Sequence, residues 1–210
     1  ALSSGTGSSA VAGPIASLTI AGDAGGEWQV DSIGSLAVGG DVDALELTAS
    51  RETDEGNGLA LGRVTVDGTV RDSRILAAGH VGNVTVGAMT GSTLLAGYID
   101  TLDPVTGLPT ADEIADDDIF DPAARLNLLF VRGLRDQAGA PVASFADSYL
   151  GAAAIGAIHL TYADLDDAEP DYGATTLSLR TFTYHDDTRT LTWSAARPAD
   201  GPQPGAIENL

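Results

Sequence analysis

A short apolar phrase recurs along this chain, and it constrains the fold more than any other feature of the sequence. Each copy places apolar residues at its first, fourth and sixth positions and leads into a glycine-containing turn. Apolar residues two apart are typical of a strand with one buried face. The clear copies span residues 15–20, 33–38, 61–66 and 81–86, and weaker copies span 129–133 and 155–160.

The spacing of the copies predicts how the strands are arranged. Their last apolar residues fall at positions 20, 38, 66, 86, 131 and 160, so the shorter steps are close to the twenty residues of one coil in a parallel β-helix. Four near-copies favour stacked coils over a sandwich, because stacked coils bury equivalent positions and so select equivalent residues. We therefore expect an all-β, right-handed parallel β-helix, a solenoid, over residues 14–162.

A second strand is predicted in each coil. The short runs at residues 27–30, 44–47, 74–77 and 93–96 follow the phrases and also contain apolar residues. Glycine is expected at the turns, because the corners of a coil need positive φ or a close approach of two backbones.

The glycine-rich phrases also carry a resemblance. Residues 33–42 (IGSLAVGGDV) and 72–87 resemble coils in the right-handed parallel β-helix modules of large secreted bacterial surface proteins. The resemblance implies an architecture and an extracellular or cell-surface location. It implies no catalytic or binding residues, because the repeated unit is a structural one.

The rest of the chain departs from the repeat. Residues 98–122 form an acidic insertion in which Thr110 is expected to cap a short helix, and a strand is expected at 127–131. Residues 163–197 are predicted to form a C-terminal hairpin, with strands at 176–184 and 189–195, that caps the open end of the solenoid. The last segment, 198–210, is a proline-rich tail.

Composition excludes several classes of protein. The chain has 30 acidic and 10 basic residues, a net charge of −20, no Cys and, because every basic residue is Arg, no Lys. The negative charge excludes nucleic-acid binding. Without Cys and Lys there is no disulfide, thiolate zinc site, Walker-A loop or Schiff base. No apolar run approaches 18 residues, so membrane insertion is not expected.

Two acidic clusters are candidate Ca²⁺ sites. Closely spaced carboxylates on a loop are the hard oxygen ligands that Ca²⁺ prefers. Neither cluster has the EF-hand pattern, and a solvated acidic surface is the alternative reading. The candidate ligands are Asp164, Asp166 and Asp167 in one cluster and Asp116, Asp117 and Asp118 in the other.

Signals for catalysis are weak, and we assign no catalytic residue. Asp23 and Asp41 occupy matched turn positions, with Thr69 in the next equivalent place, and could form the carboxylate pair of a glycoside hydrolase. We expect them instead to form turns, with side chains that accept from nearby backbone N–H groups. His80 is predicted at a corner, and no HExxH or GxSxG motif occurs.

The one local group of basic residues is expected to form ordinary ion pairs. Arg63, Arg71 and Arg74 lie close in sequence to Asp67 and Asp72. Exposed pairs of this kind contribute little to stability.

These features predict a non-enzymatic structural module of an extracellular or cell-surface protein. Its expected partners are other copies of itself or an extracellular matrix or polysaccharide, since a free strand edge gives a route to association. Two alternatives stay open. One is a Ca²⁺-assisted β-helix that binds or cleaves carbohydrate, and the other is an acidic, salt-adapted soluble protein.

Overall fold

The structure, a computed structural model, describes residues 8–99, 109–163, 173–195 and 206–208. These residues form a nearly all-β domain with one short helix. Its elements are β1 (Ser8–Ile15), β2 (Leu18–Ile20), β3 (Ala24–Val38), β4 (Val42–Ala49), β5 (Leu59–Arg71), β6 (Arg74–Ala77), β7 (His80–Thr90), β8 (Thr93–Ala96), α1 (Ala111–Ala115), β9 (Arg125–Val131), β10 (Leu134–Arg135), β11 (Pro141–Val142), β12 (Phe145–Ala146), β13 (Tyr149–Thr161), β14 (Gly173–His185), β15 (Thr190–Ser194) and β16 (Ala206–Glu208).

The strands close into a barrel, and the prediction of an open β-helix solenoid is wrong. Strand pairing runs from β3 through β5, β7, β9, β13, β8, β6 and β4 and returns to β3, with every pair parallel. A solenoid is an open path of successive coils, whereas this path of eight strands returns to its starting point.

Two long strands close the ring. β3 pairs with β4 over residues 24–30 and with β5 over residues 33–38. β13 pairs with β8 over residues 149–151 and with β9 over residues 154–160. The sequence pattern treats 27–30 and 33–38 as two separate strands, and the structure joins them into one. The barrel closes because these two runs form one continuous strand, and the repeat in the sequence does not predict that continuity.

The recurring phrases lie side by side in register. Ile33 is level with Leu61, Leu61 with Val81 and Val81 with Leu126, so the first apolar position of each phrase forms a continuous buried row. The buried side chains of these strands form one apolar core that is mainly aliphatic, with Trp28 among its largest fully buried members. Alternation within the phrase thus places one face of each strand in this core.

Aspartates join successive turns, as predicted. The Asp23 carboxylate accepts a hydrogen bond from the Asp41 N–H at 2.9 Å, and the Asp41 carboxylate accepts one from the Thr69 N–H at 2.8 Å. Their role in the structure is therefore to satisfy backbone donors at the turns, as turn-forming Asp residues commonly do.

A row of buried serines forms a second set of turns. Ser73, Ser92 and Ser148 are each at most 3% exposed, and each hydroxyl donates to the carbonyl two residues before it. Each hydroxyl also accepts an N–H from the neighbouring turn: Ser148 from Ser92, Ser92 from Ser73, and Ser73 from Leu45, at 3.0–3.2 Å. The serines thereby satisfy backbone donors that no solvent reaches.

The described part of the insertion packs on the outside of the ring. Thr110 caps α1 in a capping box with Glu113, which confirms the predicted short helix. Ile114 and Phe120 are fully buried and join Leu95 in a small second apolar cluster, where the Tyr98 ring meets the Phe120 ring edge-on at 5.5 Å. The predicted strand at 127–131 is part of β9.

The C-terminal segment predicted as a hairpin forms one. β14 and β15 pair antiparallel, and a tight turn at residues 186–189 joins them. β14 also pairs in parallel with β13 and antiparallel with β16. Residues 198–205, 209 and 210 of the predicted tail lie outside the described residues.

Candidate functional site

The N-terminal edge of the sheet is uncharged. The first 22 residues of a chain with net charge −20 contain no Asp, Glu, Arg, Lys or His, and Asp23 is the first charged residue. The described part of this segment forms β1 and β2. A neutral surface is thus concentrated in one place on an otherwise acidic molecule.

Both N-terminal strands have an open side. Among the described residues, β1 and β2 each pair only with β3, so the opposite backbone edge of each strand has no partner. Gly13 (φ +132°) and Pro14 interrupt β1 with a register shift, and Pro14 has no N–H to donate. A further strand could therefore pair regularly with β1 only over residues 8–12.

Apolar side chains accompany this open edge. Val11 is 37% exposed, and Ile15, Leu18 and Ile20 are only half-buried although they pack against the core. In the barrel strands the equivalent positions, such as Ile33 and Leu36, are at most 2% exposed. A further strand that covered this edge would complete the burial of these side chains.

The opposite end of the sheet is occupied. Antiparallel β16 pairs with β14 over residues 173–175 and antiparallel β15 over residues 181–185. The side of β14 that faces away from β13 is therefore taken over most of its length. The two ends of the sheet differ in which strands form the outer edge: uncharged β1 and β2 at one end, and β15 and β16, which among the described residues pair only with β14, at the other.

A shallow cleft of about 470 Å³ crosses the outer face of the barrel. Its floor consists of Gly34, Gly62 and Gly82 on β3, β5 and β7. The walls carry Arg63, Asn83, His80, Arg125 and Asn127, with Leu59 and Val81. Two of the ten arginines line the cleft and no acidic residue does, so its lining is positively charged.

The glycine floor has a structural cause. A Cβ on Gly82 would lie 2.0 Å from the Gly62 carbonyl oxygen, and a Cβ on Gly62 would lie 2.3 Å from that of Gly34. Neighbouring strands approach too closely here for any side chain. Close packing of the strands therefore requires glycine at the second position of these phrases. The cleft forms because these glycines have no side chains.

The imidazole in the cleft wall is largely uncharged at neutral pH. Burial lowers the pKa of His80, the nearby Arg125 guanidinium lowers it further, and Asp121 opposes both. Asp121 itself accepts hydrogen bonds from the Thr53 hydroxyl and from the Ala123 N–H. The positive charge of the cleft therefore comes from Arg63 and Arg125.

A third polar cluster lies at the hairpin turn, and its members satisfy one another. Asp186 accepts bonds from Tyr184, Thr188 and the Arg189 N–H at 2.6–2.8 Å. The bonds from Thr188 and Tyr184 lower the pKa of the Asp186 carboxyl. Burial, with the bond to Asp186, raises the pKa of Tyr184 to about 12. These bonds hold the turn that joins β14 and β15.

The predicted Ca²⁺ ligands divide into two groups. Asp164, Asp166 and Asp167 lie outside the described residues. Asp116, Asp117 and Asp118 lie exposed in the turn after α1, where Asp116 accepts the N–H of Asp118 at 3.0 Å. Within the described ranges no group of three acidic or His side chains is arranged to hold a metal. The Ca²⁺ site stays a prediction.

The prediction of local ion pairs is wrong for Arg63 and Arg71. Asp67 pairs with Arg132, 65 residues away in sequence, at 3.3 Å. Arg63 and Arg71 form no ion pair with any residue that the structure describes. Sequence proximity suggested local pairs, whereas Arg63 lies on the outer face level with Asn83 of the next strand. The glycine at the second position of each phrase could have indicated a cleft next to Arg63, because residues without side chains leave space on the outer face.

Comparison with family models, curated proteins and solved structures finds no match to this chain. No helix among the described residues is long and apolar enough to cross a membrane.

Proposed function

We propose that this chain is a non-enzymatic structural module that associates with a second copy of itself through the open edge of β1 and β2. The observation that carries the proposal is the coincidence of two properties in one place. The first 22 residues carry no charge in a chain of net charge −20, and the strands formed by their described part have an unpaired side.

The lack of charge on β1 and β2 favours this edge as a contact between two copies. Two molecules of charge −20 repel, and at physiological ionic strength that repulsion is screened beyond about 8 Å. Contact therefore depends on the charges close to the interface. The strands β1 and β2 carry none, and the carboxylates beside them, Asp23 after β2 and Glu27 and Asp31 on β3, do not lie on the unpaired edge, so backbone pairing there brings no charged side chain of either strand against its partner.

The geometry favours a closed dimer over a filament. A head-to-tail filament would need β1 to pair with β14 of the next copy, which β15 and β16 cover over residues 181–185 and 173–175, or with the outer edge of β15, whereas a closed dimer needs only the edge of β1. Two copies of β1 can pair antiparallel about a twofold axis, because each offers the same unpaired edge to the other. Native proteins commonly protect such edges with charged residues, and this one has none.

The setting of the module is a second part of the proposal. The likeness of its glycine-rich phrases to those of secreted bacterial surface proteins supports an extracellular or cell-surface location. A dimer of rigid, acidic barrels would serve there as a connecting or spacing element.

The test is sedimentation velocity from micromolar to millimolar protein, comparing the native chain with Val11→Lys. Val142→Lys is the matched control, since Val142 is 41% exposed but lies on β11, away from the edge. We expect the native chain and Val142→Lys to reach twice the monomer mass and Val11→Lys to remain monomeric. A native chain that is monomeric throughout, or a Val11→Lys variant that dimerises equally well, contradicts the proposal.

A further inference from the structure

The cleft above the glycine floor combines features that point to a ligand. Arg63 and Arg125 are exposed and form no ion pair with a described residue, although the chain carries three acidic residues for every basic one. Arginine forms bidentate pairs with carboxylates whenever the geometry allows. Two arginines left without a carboxylate in one cleft with no acidic lining residue are therefore available to an external anion.

The amide groups of the cleft leave one donor and one acceptor free. Asn127 donates through Nδ2 to Asn83 Oδ1 at 2.6 Å. This leaves the Asn83 amide hydrogens and the Asn127 carbonyl oxygen side by side on β7 and β9. A hydroxyl group both donates and accepts, so it matches this arrangement.

The dimensions of the cleft suit an extended molecule. It crosses β3, β5, β7 and β9, which at a strand spacing of about 4.8 Å gives a length of about 14 Å. Arg63 and Arg125 lie on β5 and β9, two strands apart and offset by three residues along the strands, so their Cα atoms are about 14 Å apart. The glycine floor lets a ligand lie directly on the backbone, since no Cβ projects into the cleft.

The floor strands do not offer a backbone edge. β5 is paired with β3 and β7, and β7 with β5 and β9. A peptide cannot add here as a further strand, which is the usual way an extended peptide binds to a sheet. A ligand must therefore be bound by side chains. The two asparagines can bind hydroxyl groups, and the two arginines can bind two separated negative charges.

We propose that this cleft binds a carboxylate-bearing oligosaccharide, laid across the strands with Arg63 and Arg125 each pairing with one carboxylate and the two asparagines binding hydroxyl groups between them. No carboxylate lines the cleft, so the binding requires no Ca²⁺. The site is distinct from the β1–β2 edge and does not depend on dimerisation.

Short oligogalacturonates are the probe, measured by isothermal titration calorimetry at low ionic strength with EDTA present. The test variant is Arg63→Gln/Arg125→Gln. The matched control is Arg71→Gln/Arg180→Gln, which removes the same charge from two exposed arginines outside the cleft. All four side chains are exposed, so both variants should fold. Maltooligosaccharide and oligoglutamate serve as the neutral sugar and the acidic peptide.

We expect the native chain to bind oligogalacturonate, and the cleft variant to bind at least about tenfold more weakly, which corresponds to a loss of about 1.4 kcal/mol for the two charge-assisted contacts together. The control variant should stay within about twofold of the native chain, a difference of about 0.4 kcal/mol. Absence of binding by the native chain, or equal weakening by the control variant, overturns the site. Equal affinity for maltooligosaccharide or for oligoglutamate overturns the assignment of the ligand.

Discussion

Replacing Gly82 by Ala tests the packing that shapes the barrel wall. The new Cβ would lie 2.0 Å from the carbonyl oxygen of Gly62, a backbone atom in the adjacent strand. Carbon and oxygen atoms that are not bonded do not approach within about 3 Å, so β5 and β7 must separate locally by about 1 Å. Their ladder hydrogen bonds, ordinarily about 2.9 Å long, would then exceed bonding distance.

The expected loss of stability follows from this displacement. Overpacking in a tightly packed site costs about 1–3 kcal/mol, and each lost backbone hydrogen bond adds about 1 kcal/mol. Because Ala has less conformational freedom than Gly in the unfolded chain, the substitution also stabilises the folded state by about 0.4–1 kcal/mol, which offsets part of this loss. We therefore expect Gly82→Ala to lower the free energy of unfolding by about 2–3 kcal/mol.

Gly22→Ala is the matched control, measured with Gly82→Ala by urea denaturation. Gly22 lies in the turn after β2, and a Cβ there would meet no atom within 4 Å. The control should be neutral or slightly stabilising, with an unchanged m-value. If Gly82→Ala shifts the midpoint no more than Gly22→Ala does, the close approach of β5 and β7 is wrong.

Three further predictions concern the turns. Ser92→Ala should lower the free energy of unfolding by about 1–3 kcal/mol, because it leaves the buried Ser73 N–H without an acceptor, whereas Ser50→Ala, at an exposed hydroxyl, should change little in the same urea denaturation. Tyr184, with a pKa of about 12, should ionise later than an unperturbed tyrosine in an ultraviolet titration, and stability should fall as the pH rises above the ordinary tyrosine pKa of about 10; loss of a late-ionising group in Tyr184→Phe checks the assignment. The lowered pKa of Asp186 stabilises the folded hairpin above the ordinary Asp pKa of about 4 and ceases to do so as the pH falls below it, so the protection of β15 amides, measured as exchange relative to the intrinsic rate at the same pH, should fall in acid, and Asp186→Asn should flatten that dependence.

The strands and turns could be predicted from the sequence because their causes are local. The alternation in the phrase at residues 61–66 marks β5, and the spacing of Thr110 and Glu113 marks the cap of α1. The matched positions of Asp23 and Asp41 indicated their role at the turns, which the structure shows as bonds to backbone N–H groups one turn further on.

Closure of the barrel could not be predicted in the same way. It depends on β3 and β13 continuing through positions where the sequence pattern breaks into two short runs, and on each of them changing partner along its length. These are pairings between distant segments, and the same apolar pattern satisfies either an open or a closed arrangement.

The two candidate sites were missed for a related reason. Arg63 and Arg125 are 62 positions apart in sequence and share a cleft because β5, β7 and β9 are adjacent. The neutral N-terminal segment was visible as composition, but its importance depends on β1 and β2 lying at an unpaired edge. Charge patterning read segment by segment would have singled it out, since the first charged residue is Asp23.

The most direct test of self-association through the N-terminal edge is backbone amide hydrogen exchange in β1, followed at low and at high protein concentration. Pairing of two β1 strands should slow exchange of the outward-pointing amides within residues 8–12 as concentration rises, while exchange in β15 stays constant. Exchange in β1 that is independent of concentration, in a sample that dimerises, would show that the copies meet elsewhere and would contradict the central claim.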